Sequence, residues 1–204
     1  MSSTNRSDAR DLHRGDYYIT PIPAIIDFLE EFQKELDIDW SEEYIFDPCA
    51  GGDRLNPMSY PQAIIQHVRK TKPNFSGYDN IGTLDIRKDS PANLKGDYLE
   101  FKWLDVDNKP YVIITNPPFC LAQPIIEKAL QDVKDGGWVI MLLRLNFFGS
   151  VGRKKFFEKY MPSYCYIHRK RMSFSADGKT DSIEYAHFVW WKGENPEFCN
   201  TKII

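Results

Sequence analysis

Asn116-Pro117-Pro118-Phe119 places an amide, the carbonyls of two prolines that have no backbone N–H of their own, and an aromatic ring within four residues. The apolar run Tyr111-Val112-Ile113-Ile114-Thr115 precedes it and reads as a buried β-strand. Neither proline can donate to a sheet ladder, so the strand stops at Asn116 and Phe119 is carried out on a stiff turn. In an open α/β sheet the carboxyl edge is where ligands bind. A planar substrate bearing an amino group would be held there, its ring against Phe119 and its N–H groups on the Asn116 oxygen and the Pro117 carbonyl.

A second cluster lies upstream. Tyr44-Ile45-Phe46 runs into Asp47-Pro48-Cys49-Ala50-Gly51-Gly52-Asp53, where small residues let a ligand approach the backbone. The N-terminus of the helix that follows can face a charged group. Asp85 closes a strand near Thr83-Leu84-Asp85-Ile86. A carboxylate at that point accepts hydrogen bonds from ribose hydroxyls, as in dinucleotide folds. Its distance from the glycines exceeds the usual ~20 residues, and Asp79 competes for the role. Gly96-Asp97-Tyr98-Leu99 carries a third acidic residue, in a turn signal.

The elements that position these residues alternate. Thr20 is read as a helix cap and Pro21 as a first-turn residue, with Ile25, Ile26, Phe28, Leu29 and Phe32 at helical spacing. Further helices are expected over Pro61 to about Lys70, Pro124 to Val133 (stopped by Gly136-Gly137) and Arg153 to Tyr160. Strands are expected at Trp138 to Leu143, Tyr164 to Ile167 and Ala186 to Trp191. Alternation of this kind predicts an α/β fold with a mainly parallel sheet, and the last two strands an antiparallel edge. Residues 1–14 are read as a flexible segment and residues 15–204 as a single domain.

Composition bounds the partners. The 204 residues are 42% hydrophobic and 14% aromatic, with a net charge of −3 and a pI of 5.8. This argues against a generally basic nucleic-acid coat but allows a local basic face. The four cysteines show no zinc pairing, the four histidines no ligand spacing, and no metal is expected. No secretory leader opens the chain and no apolar run approaches ~18 residues, so no membrane span is expected. The basic cluster Arg153-Lys154-Lys155, the run Arg169-Lys170-Arg171, and Arg144 at the end of a buried strand are candidates for phosphate contact.

Taken in order, Tyr17-Tyr18-Ile19-Thr20-Pro21, Asp47-Pro48-Cys49-Ala50-Gly51-Gly52 and Asn116-Pro117-Pro118-Phe119 resemble the S-adenosylmethionine-dependent amino-methyltransferases. Within them the chain looks like the DNA adenine-N6 methyltransferases, particularly small phage-type ones, over residues 17 to 191. The resemblance implies a Rossmann-like sheet with a reversed terminal hairpin, S-adenosylmethionine as cofactor, DNA as partner, and the cytoplasm of a bacterial or phage-infected cell. It implies that Asp47, Pro48, Cys49, Ala50 and Gly51 hold the methionine part of the cofactor, with Asp47 near the amino group. Asp85 would take the ribose, Asp97 the adenine amine with Tyr98 beside the ring, and Tyr17, Thr20 and Pro21 would close over the cofactor. Asn116 through Phe119 would orient a flipped-out base, with Phe174 covering its other face. One departure from the family pattern is Asp53, which stands where glycine is usual. The same motif also serves RNA adenine, cytosine N4 and protein glutamine, and the scaffold could persist as an inert binding module. Specificity would reside in Arg54 to Asn80, Ser173 to Thr180, or a partner.

Overall fold

Residues 18–36, 38–77, 79–174 and 182–204 are described by the computed structural model. The first helix, α1 (Ile22–Glu35), buries Ile25, Phe28, Leu29 and Phe32, one stripe at helical spacing. It packs on α2 (Ser59–Arg69), which buries Tyr60, Ala63, Ile64 and Val68. Both cover one face of a sheet whose strands are β1 (Ile45–Asp47), β2 (Ile81–Asp85), β3 (Leu94–Lys95), β4 (Val112–Thr115) and β5 (Trp138–Arg144). The other face is covered by α3 (Ala122–Asp132) and α4 (Lys154–Lys159). Because side chains alternate across a strand, Val112 and Ile114 enter the α1/α2 core while Ile113 enters the α3/α4 core. Burial on both faces explains why β4 and β5 read as unbroken apolar runs.

Three strands complete the sheet: β6 (Tyr164–Ile167), β7 (Tyr185–Trp191) and β8 (Asn200–Ile203). The order is β3-β2-β1-β4-β5-β7-β6-β8. The five strands from β3 to β5 are parallel, and β7 runs antiparallel to both β5 and β6. The expected α/β, mainly parallel architecture with an antiparallel terminal pair therefore holds. That pair is not the edge, however, because β8 lies outside β6 and parallel to it. Nothing in Asn200-Thr201-Lys202-Ile203 announces a strand, since three of its four residues are exposed and carry no buried-face pattern.

Two local readings are corrected. Pro21, not Thr20, is the N-cap of α1; the Pro21 carbonyl accepts from Ala24 and Ile25, and Pro23 occupies the first turn. Helix α3 ends at Asp132, before the glycines. Gly136 (φ +76°) turns the chain back, and Gly137 passes so close to β4 that a Cβ would stand 2.4 Å from the Tyr111 carbonyl.

Candidate active site

Strand order reverses between β1 and β4, which neighbour each other while their connections leave to opposite sides. A crevice outside the carboxyl ends of the strands at such a switch point is the expected ligand position. The structure has a cleft there, enclosing ≈ 830 Å³ of empty space with its open mouth included. Thr20, Pro48, Cys49, Ala50, Gly51, Asp85, Asp97, Tyr98, Asn116, Pro117 and Pro118 all line it. Asp85, Asp97, the glycine loop and the Asn-Pro-Pro turn thus converge from positions up to 70 residues apart in the chain (Pro48 to Pro118).

The glycine loop is stapled to the end of β2. Ala50 N–H donates to the Leu84 carbonyl at 3.0 Å, and Gly51 N–H to Asp85 Oδ2 at 2.7 Å. Ser90 Oγ donates to the Gly51 carbonyl and Arg87 Nη2 to the Gly52 carbonyl, both at 2.6 Å. Gly51 and Gly52 take φ of +64° and +74°, a region that disfavours side chains. At Gly52 a Cβ would also meet Met58 N at 3.0 Å. Asp53 does not fill the loop: its Oδ1 accepts from the N–H groups of Leu55 and Asn56 at 2.7 and 2.8 Å, building the next turn. The departure from glycine at that position therefore leaves the cradle open. Helix α2 begins six residues further on, and Ser59 and Tyr60 bring its N-terminus to the cleft.

The two acidic residues named for a ribose lie at opposite ends of β2. Asp85 is the last residue of β2 and lines the cleft, whereas Asp79 precedes Ile81 at the opposite end of the strand. Asp85 is held by Gly51 N–H on one oxygen and by Arg87 N–H (2.8 Å) on the other. Asp97 is brought in where Gly96 N–H bonds to the Asp85 carbonyl, and its Oδ1 accepts from Leu99 N–H at 2.9 Å. Asp47 lies beneath the loop, 1% exposed. Its Oδ1 accepts from Cys49 N–H at 3.2 Å, while Oδ2 is buried with no hydrogen-bond partner among the described residues. Burial pushes the Asp47 carboxyl up to about 7, and the nearby Asp85 charge adds to this.

Asn116 shows the same one-sided satisfaction. Its Nδ2 donates to Thr20 Oγ1 at 3.0 Å, across 96 residues of sequence. Its Oδ1 is buried and has no partner among the described residues. A buried acceptor left empty costs ~1–3 kcal/mol unless something fills it. This bond is also where the Thr20 hydroxyl goes instead of capping α1. Replacing Thr20 by Val keeps the side-chain shape and removes the anchor. The expected result is a roughly tenfold lower kcat, the worth of one hydrogen bond, with a smaller change in cofactor affinity, read by steady-state kinetics and binding titration.

Beside the Asn-Pro-Pro turn stands an aromatic cluster. Phe119 lies near-parallel to Tyr18, centroids 6.3 Å apart and planes 21° apart, and meets Tyr185 at 5.9 Å. Phe174 meets Tyr18 edge-on at 5.9 Å and Tyr185 at 4.8 Å. The Arg144 guanidinium lies 4.8 Å from the Phe119 ring centre, its Nε buried without a hydrogen-bond partner among the described residues.

Other candidates fall elsewhere. Pro21 lines a separate groove with Arg169, Lys170 and Arg171. Arg153 donates to the Phe147 carbonyl at 3.0 Å and lies over the Phe147 ring, and Lys154 pairs with Glu158 on the surface. Neither joins the cleft. Tyr17 lies outside the described residues. Among the described residues no cluster of His, Cys, Asp and Glu is placed to hold a metal, and no helix is long and apolar enough to cross a membrane.

Sequence reasoning missed Tyr18, Tyr60, Ile86 and Arg87. Ile86, an exposed apolar residue at the cleft, had a signal: it directly follows Asp85. Tyr60 had none. Its hydroxyl is held at 3.0 Å by His187 Nε2, and His187 Nδ1 lies 2.8 Å from His168 Nε2. Burial pushes His168 down to about 4 and His187 well below its ordinary value, so both are neutral at pH 7. His187 thus fixes a cleft residue.

No family model and no curated protein sequence matches the chain. Solved structures do. The chain is similar to a putative class I S-adenosylmethionine-dependent methyltransferase from Listeria monocytogenes, with a TM-score of 0.58 and 14% identity over 91% of this chain and 65% of that one. It is similar to the M protein of the type I restriction enzyme EcoKI, with a TM-score of 0.59 and 14% identity over 87% and 44%. It is also similar to the protein of a DrdV–DNA complex, with a TM-score of 0.63 and 12% identity over 97% and 28%. The fold is that of the class I methyltransferases. The chain spans less than two thirds of the length of each of these three proteins.

The cleft residues fit the cofactor named for the first of these folds. The glycine cradle admits backbone approach, Asp85 is an acceptor held in place at the end of β2, and the buried Asp47 carboxyl lies beneath that cradle.

Proposed function

We propose that this chain transfers a methyl group from S-adenosylmethionine to the exocyclic N6 amine of adenine in DNA. The observation that carries the reading is the unpartnered Asn116 Oδ1, an acceptor fixed on a residue that lines the same cleft as the glycine loop. The likeness to a restriction-enzyme M protein and to a protein solved on DNA supports DNA as the substrate, and a comparable likeness to a putative RNA methyltransferase from Pyrococcus horikoshii makes RNA the second reading.

When bound, the cofactor supplies an electrophilic methyl carbon on a sulfonium. Asp47 would hold its ammonium, Asp85 its ribose hydroxyls and Asp97 its adenine amine, with Tyr98 and Ile86 beside that ring. On the substrate side, an aromatic amine is a poor nucleophile because its lone pair is delocalised into the ring. Asn116 Oδ1 and the Pro117 carbonyl accept its two N–H bonds and draw the nitrogen toward a tetrahedral geometry, turning the lone pair toward the cofactor side. Phe119 stacks on the flipped base, and Arg144 keeps the Phe119 ring in place. The chain's contribution is orientation and fixed acceptors for developing positive charge.

Incubation with methyl-labelled cofactor and separate DNA, RNA and protein pools tests the reading. Label is expected in DNA, recovered as N6-methyladenine. Label in RNA or protein alone, or in no pool, would contradict it.

A further inference from the structure

The aromatic cluster has an occupant. Tyr185 is buried (2% exposed) and meets both Phe119 and Phe174 from below. Tyr18 also meets both, near-parallel to Phe119 and edge-on to Phe174, but it is 45% exposed and lines the cleft. The proposed function sets Phe119 against the target base, and the resemblance sets Phe174 against its other face. Among the described residues Tyr18 is the partly exposed ring that meets both, near-parallel to Phe119 and edge-on to Phe174, and it stands where a base stacked on Phe119 would lie. Its offset geometry against Phe119 lies within the range of favourable aromatic pairs.

We propose that Tyr18 is a stand-in for the target base, filling the slot between Phe119 and Phe174 and leaving when a base enters. The inference rests on the base-site reading above. Its physical content is an exchange: an incoming base gains a stack on Phe119 only by breaking one that Tyr18 already makes. The net gain is then the difference between two stacks. A purine, with the larger π-face, exceeds the Tyr18 contact more readily than a pyrimidine does. Tyr18 thus acts as a threshold that keeps the slot closed to weakly stacking bases, in addition to the hydrogen-bond choice made by Asn116. The tyrosine hydroxyl plays no part in this; the ring does.

The test is steady-state methylation of unmethylated genomic DNA by the wild type, Tyr18→Ala and Tyr18→Phe. For Tyr18→Ala, KM for DNA is expected to fall about two- to tenfold, the worth of one aromatic pair, and the ratio of N4-methylcytosine to N6-methyladenine in the product to rise. Tyr18→Phe, which keeps the ring, is expected to restore both. A lower KM cannot arise from a partly unfolded preparation. A higher KM for Tyr18→Ala would make Tyr18 a wall of the base site and overturn the proposal, as would no change in either readout. A wild type that methylates no DNA would overturn the base-site reading itself and this inference with it. The wild-type rate therefore separates the two failures.

Discussion

Asn116→Ala is expected to lose methyl transfer while keeping the cofactor. Removing one preorganised polar group aimed at developing charge typically costs 10²–10³ in kcat. Asn116 is in that position: Nδ2 is spent on Thr20 Oγ1, so Oδ1 is the part of the amide left for a substrate. The proposed cofactor contacts lie on the other wall of the cleft, so cofactor affinity is expected to stay near wild type. Cofactor at a hundredfold excess over its Kd adds ~2.7 kcal/mol of stability to any protein that binds it. Both wild type and variant should show that thermal shift, and only the wild type should turn over. Turnover of the variant within tenfold of wild type would remove Asn116 from the reaction.

The second large effect is a pH dependence of cofactor binding set by Asp47. The folded, ligand-free protein holds this carboxyl at about 7, against an ordinary value of 3.8. A raised acid destabilises the fold when ionised. Its contribution to stability is present below about pH 4, is lost as pH rises through the interval, and is fully lost above 7. A bound ammonium reverses this by favouring the carboxylate. Cofactor affinity should therefore weaken as pH falls below 7, by up to about tenfold per pH unit while a proton must be displaced. It should weaken again above ~8, where an α-amino group loses its own proton. Calorimetric titration from pH 5.5 to 9 is expected to give this bell. Asp47→Asn is expected to bind more weakly near neutrality and to lose only the acid limb. An acid limb surviving in Asp47→Asn would assign the titration to another group.

Much of this site was legible because its residues carry backbone meaning. Pro117 and Pro118 end a strand whatever surrounds them, and consecutive glycines after a strand announce a turn that needs positive φ. Asp85 and Asp79 compete for one role in the sequence, and the fold sets them apart: one lies at the carboxyl end of β2, the other before its start. Illegible features depended on distant partners. Thr20 reads as a helix cap because local sequence favours that use of a hydroxyl, yet its partner lies 96 residues away. Tyr60 owes its place to a buried histidine pair on β7 and at the end of β6. Strand β8 is an exposed edge whose residues bury no consistent face, so no pattern marked it. Tyr18 stands beside Thr20 in sequence, but only the fold brings it between Phe119 and Phe174.

The most direct test of the central claim is a crystal structure of the protein with S-adenosylhomocysteine and an adenine-containing oligonucleotide. The account predicts an extrahelical adenine whose exocyclic nitrogen lies about 3 Å from both Asn116 Oδ1 and the Pro117 carbonyl. An adenine bound elsewhere, with Asn116 Oδ1 satisfied by the cofactor or by the protein itself, would contradict it.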